Sequence, residues 1–166
     1  MAEQSSASEI MGQGVAVGRR GPELKIGSDE HKRVFCRMLL DTHDPYKPAV
    51  IDWPKLSPEA FDRLTKLPIW NIAVQIEGRA SIAVRTYGDS VSDPLLKEAI
   101  LMDGGEEARH KDVLSKMVAS YGIVLDPEPD YPAPADPEYA FLTTGYAECL
   151  DSFLAFGLFD VARRSG

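Results

Sequence analysis

Glu107 and His110 stand three residues apart in the run Glu106-Glu107-Ala108-Arg109-His110, and on a helix that spacing puts a carboxylate and an imidazole one turn from each other on one face. Stepping 4, 3, 4, 3 from Leu96 reaches Ile100, Asp103, Glu107, His110, Leu114, Met117 and Tyr121. This is the apolar seam a bundle helix turns toward its neighbours, and Asp103, Glu107 and His110 occupy its centre where leucines belong. Two other segments repeat the anomaly. Glu77 lies in the stripe Trp70, Ala73, Val74, Ala80, Val84 and Tyr87, and Glu148 in the stripe Phe141, Gly145, Ser152, Ala155 and Phe159. A single buried, unpaired carboxylate costs several kcal/mol, so three of them on three apolar stripes need a shared compensation. A cation held between the helices would supply it. Oxygen ligands with one imidazole and open positions suit Fe(II) or Mn(II), with Zn(II) also admissible. Asp151, one turn after Glu148, and Asp103 are candidates to orient a metal-bound imidazole without touching the metal. The competing reading makes each glutamate a boundary residue that reaches water.

The elements that must position these side chains are all helices. Ser28-Asp29-Glu30 opens an amphipathic segment ending near Thr42. Ser57-Pro58-Glu59, Asp93-Pro94 and Asp136-Pro137-Glu138 share one device, a capping side chain followed by proline at the first helical position. They announce helices over 58–66, 94–121 and 137–164, and a further one over 69–88 follows Pro68. Gly122 reads as a stop that needs positive φ. Asp126 to Pro137 holds five prolines and reads as a semi-extended connector. Gly104-Gly105, just ahead of the ligand pair, admits two readings: a bulge or close backbone approach that aims the ligands, or a break between two short helices. Alternating strand patterns are nearly absent, so the expected class is all-α. The expected organisation is a flexible arm over 1–27, a helix with a Pro-rich connector over 28–67, and a helical bundle over 68–166.

Taken in order, Glu77, then Glu107-Ala108-Arg109-His110, then Glu148 resembles the ferritin-like di-iron carboxylate proteins, and the double acid Glu106-Glu107 before Arg109-His110 is similar to rubrerythrin-like members. The resemblance covers roughly residues 68–164. It implies a four-helix bundle, a dinuclear centre of two iron ions, and O₂- or peroxide-dependent oxidation or ferroxidation. It also implies roles: Glu107 bridging, His110 and Glu77 terminal on one metal, and Glu148 toward the second. The family pattern asks for four carboxylates and two histidines, and here the second Glu-x-x-His is missing. Only three bundle helices are visible. The fourth is expected beyond Gly166, or a second protomer of a homo-dimer completes the site, or the site is degenerate. In the last case the chain is a non-enzymatic helical interaction module. A three-helix remnant would expose the apolar stripe on 141–162.

Composition narrows the partners. The 166 residues carry 18 Lys+Arg against 26 Asp+Glu, a net charge of −8, which argues against nucleic acid and anionic membrane surfaces. The densest apolar run, Ser152 to Phe159, falls far short of the roughly 20 residues of a membrane span. With only Cys36 and Cys149 there is no disulfide scaffold, and a cytoplasmic protein with reduced thiols is expected. Cys149 is expected as a small buried side chain, and His110 as the one histidine in the core. Gly12 to Gly18 misses the dinucleotide-binding spacing and follows no strand, and no Ser-His-acid triad can be assembled.

Overall fold

The computed structural model describes residues 24–45, 47 and 50–165. Most of the arm expected over 1–27 therefore lies outside the described residues. Among the described residues there are five α-helices and no strand: α1 (Asp29–Thr42), α2 (Pro58–Thr65), α3 (Trp70–Ser90), α4 (Pro94–Ser120) and α5 (Pro137–Ser165). No helix among them is long and apolar enough to cross a membrane.

Each capped start forms as its chemistry dictates. Ser28 accepts from the amide of His31, Ser57 from that of Ala60, and Asp93 from those of Leu95 and Leu96. Asp136 accepts from the amide of Tyr139 at 3.0 Å. These side chains satisfy amides that the first helical turn leaves without partners. At the far end of α4, Gly122 takes φ +67°, and its amide and that of Ile123 close onto Ala119 and Val118.

α3 is the central helix. α4 returns antiparallel along it after the short turn 91–93, and α5 runs antiparallel along another side, where the rings of Tyr87 and Phe141 stack at 4.8 Å. α1 packs on α4, whereas α4 and α5 do not pack against each other. α2 is held by the edge contact of Phe61 with Tyr121 and by the bond from Trp70 Nε1 to the Leu64 carbonyl. The core is the α3–α4 seam, with Val74, Ala80 and Val84 facing Ala99, Ile100 and Val118, joined by Cys36 of α1. Burying a side chain of the size of Val84 or Ile100 stabilises by about 1.5–3 kcal/mol.

The glycine pair is settled in favour of close approach. α4 runs unbroken through 104–105. A Cβ on Gly104 would lie 2.6 Å from Arg85 Cγ and 3.3 Å from the Arg85 amide nitrogen, while one on Gly105 would meet nothing. The break between two short helices is thus overturned: the missing side chain lets the backbones of α3 and α4 touch, and Ser81 Oγ donates to the Gly104 carbonyl at 2.9 Å within that contact.

α5 is covered only on the side that meets α3. Phe159 of the stripe over 141–162 is 72% exposed, and Phe153 and Phe156, which lie off that stripe, are each 76% exposed. Cys149 is exposed, against the expectation that it is buried, because it lies on α5 away from α3.

Candidate metal centre

The register set by Ser81 against Gly104 decides what meets next along the seam. In an antiparallel pair, one turn back on α3 faces one turn forward on α4, so Glu77 comes opposite Glu107 and His110. These three side chains each offer a ligand atom within 4.8 Å of the others. His110 Nδ1 lies 3.5 Å from Glu77 Oε2 and 3.5 Å from Glu107 Oε2. Such separations are long for hydrogen bonds. They match two ligands that share one ion at about 2.1 Å each, which stand roughly 3–4 Å apart.

Burial grades across the group. Glu107 is 6% exposed, Glu77 is half-buried, and His110 lies at the exposed rim, so the expected core histidine is a surface one. One oxygen of each carboxylate, Glu77 Oε2 and Glu107 Oε2, is buried without a hydrogen-bond partner. Burial, reinforced by the neighbouring Glu77, pushes the Glu107 carboxyl from 4.5 up to about 7. Near neutrality the pair therefore shares a deficit of positive charge, which a proton or a cation can fill. Two orphaned, inward carboxylate oxygens beside an imidazole fit a divalent metal.

The other candidates lie around this triad rather than in it. Asp103, one turn before Glu107, is half-buried, and that burial raises its carboxyl against the opposing pull of His110. Glu148 on α5 is largely exposed and does not join the three convergent ligands. Its carboxyl is raised by the part that is covered and by the charges of Glu107 and Asp151, so it stands in the same acidic field. Asp151 is exposed and acts on Glu148 through its charge.

Two supports of the site escaped sequence reasoning. His43, just past α1, bonds Glu106 Oε1 through Nε2 at 2.5 Å, and Arg109 pairs with the other oxygen of Glu106. This series of polar contacts ties the ligand-bearing turn of α4 to the end of α1. The alternation of Glu106 and Arg109 with the ligands was its only signal, and His43 gave none. The second support is the connector. Tyr131 lays its ring on Gly78, where a Cβ would meet Cε2 at 2.7 Å, and Lys111 pairs with Glu128. Asn71 and Asp126 exchange two hydrogen bonds, of 2.9 and 2.8 Å. The semi-extended connector is thus pinned beside Glu77 and His110. No known protein family, curated protein or solved structure matches this chain.

Proposed function

We propose that the chain is a ferritin-like metal protein whose α3–α4 seam binds a divalent cation, iron foremost, for redox use. The observation that carries this reading is the convergence of Glu77, Glu107 and His110 with two buried carboxylate oxygens that accept no hydrogen bond. The order of ligands on successive long helices, and the long connector between the second and third, support the ferritin-like assignment. Glu107 and Glu77 would supply the negative charge that holds the ion, and His110 a nitrogen ligand at the exposed rim. Iron so bound would supply oxidation of a substrate, or of iron itself, by O₂ or peroxide. Asp103 and Glu148, which share the electrostatic field of Glu107, are further carboxylates for a second ion. A cytoplasmic setting agrees with Cys36 and Cys149 both being free thiols.

The test is anaerobic Fe(II) or Mn(II) titration of the 166-residue chain, with metal per chain measured after dialysis. About one tightly held ion is expected, and its loss in Glu107→Gln and His110→Ala. Two tight ions in a strictly monomeric chain would show that ligands have been miscounted.

A second reading has its own support. The exposed apolar length of α5 and the position of Glu148 outside the triad favour a non-enzymatic interaction module with a degenerate site. Freshly purified protein without metal, and indifferent to added Fe(II) and Mn(II), would establish that reading.

A further inference from the structure

α5 is apolar on two opposite faces. One, through Phe141, turns to α3. The other repeats at steps of three and four residues through Leu142, Tyr146, Leu150, Phe153, Gly157 and Val161. The five side chains larger than glycine on this face are between 48% and 76% exposed. A scattered exposed leucine is ordinary, but a continuous stripe along a 29-residue helix marks an interface. We propose that this outward face is a self-association surface, on which a second copy of the chain lays its own α5 antiparallel.

Three features choose a second copy over another occupant. The stripe and its flank at Phe156 offer on the order of 700 Å² of accessible apolar surface, the most that pairing could bury there, against the roughly 800 Å² per partner of a standard interface. Its two ends are complementary to each other. Glu138 sits in the first turn, and Arg163 and Arg164 in the last, where Asp160 pairs with both and offsets only one of the two charges. An antiparallel pair related by a two-fold axis brings each acidic end against a basic end, twice, and opposes the helix dipoles. The chain's net charge of −8 is no obstacle, because the large side chains of the stripe are uncharged and Gly157 allows the backbones to approach. The face points away from α3, so this pairing does not depend on the metal reading.

The register makes the proposal testable. With Arg164 opposite Glu138, the two-fold axis crosses near Asp151. The two Cys149 Cα atoms then stand about 10–12 Å apart. That is too far for a disulfide but within reach of a short bismaleimide. Cys149 is exposed and Cys36 only 2% exposed, so the linkage is selective. Sedimentation of the full chain is expected to give a concentration-dependent species of twice the 18.2 kDa chain mass. Bismaleimide is expected to capture it through Cys149, and Cys149→Ser to abolish the capture. L150E/F153E is expected to weaken the dimer at least about 100-fold, with helical content by circular dichroism unchanged. Arg164→Glu is expected to weaken it and Glu138→Arg to restore it in that background. A monomer at every concentration leaves the face to another helix, protein or membrane and overturns the proposal. So does a dimer without the Cys149 link. Should L150E/F153E unfold, the linkage of the unmodified chain still decides.

Discussion

At the scale of single residues, the decisive one is Glu107, a carboxylate that the fold takes out of water and sets against a second carboxylate. Its folded-state value, raised to about 7 from 4.5, fixes the sign of a stability effect. A raised carboxyl contributes stability fully below its unfolded value and loses it as pH climbs through the folded one. Asp103 and Glu148 are shifted in the same direction. The metal-free chain is therefore expected to weaken between about pH 5 and pH 8, as read from urea midpoints. Glu107→Gln keeps the shape and removes the charge, so it should flatten that slope and stabilise by about 1–2 kcal/mol at pH 8 while leaving pH 5 unchanged. An identical slope in the variant would place the cause elsewhere. The same proton predicts the metal's behaviour. Binding at pH 6 must displace it, so calorimetric enthalpies should depend on the buffer's ionisation, and occupancy should fall from pH 7.5 to 5. Occupancy that stays flat over that range contradicts the ligand set of Glu77, Glu107 and His110.

At the scale of elements, the helices were legible because their ends are written in local chemistry. Ser28, Ser57, Asp93 and Asp136 cap what they were expected to cap, and Gly122 takes the positive φ its stop requires. The stripe positions put Glu77 with Glu107 and His110, as found, but they put Glu148 in the same group, and the structure leaves it outside the three. What stayed hidden was tertiary. Nothing local says that Tyr131 will lie on Gly78, or that His43 will reach Glu106 from another helix. Nor could composition decide between a break and a close approach at Gly104-Gly105, since both use glycine for want of a Cβ. The structure separates the two glycines, and so can experiment. Gly105→Ala meets open space and should stabilise by about 0.5–1 kcal/mol through helix propensity. Gly104→Ala gains the same propensity but drives a methyl into Arg85, and should destabilise by about 1–3 kcal/mol net. Because Gly104 sets the register against Ser81, it should also weaken metal binding, which Gly105→Ala should not. Denaturant unfolding and metal titration of the two variants side by side check both parts.

At the scale of the whole molecule, the arrangement is lopsided. α3 and α4 share a sealed seam with α1 laid on it, while α5 leans on α3 alone and leaves the space toward α4 uncovered. Local stability follows packing, so opening free energies should fall from the seam outward. Amides around Val84 and Ile100, inside the buried contact, are expected to exchange slowest, and those from about Glu148 to Arg164 far faster, although both lie in regular helix. Metal then becomes a probe of how α5 relates to the site. If Glu148 swings in to ligate, added Mn(II) must slow exchange in the middle of α5 as well as around Glu107. If the triad alone binds, protection should rise at 77, 107 and 110 and leave α5 unchanged. Self-association through Leu150 and Phe153 would also protect α5, but it depends on protein concentration rather than on metal. Hydrogen exchange followed by mass spectrometry, with and without Mn(II) at two protein concentrations, separates these contributions. The arrangement described here, with Glu148 outside the triad, predicts concentration-dependent protection along the outward face and metal-dependent protection confined to the turns around Glu77, Glu107 and His110. Protection of α5 that responds to neither variable would mean that this helix is already covered in the monomer, contrary to its exposed stripe.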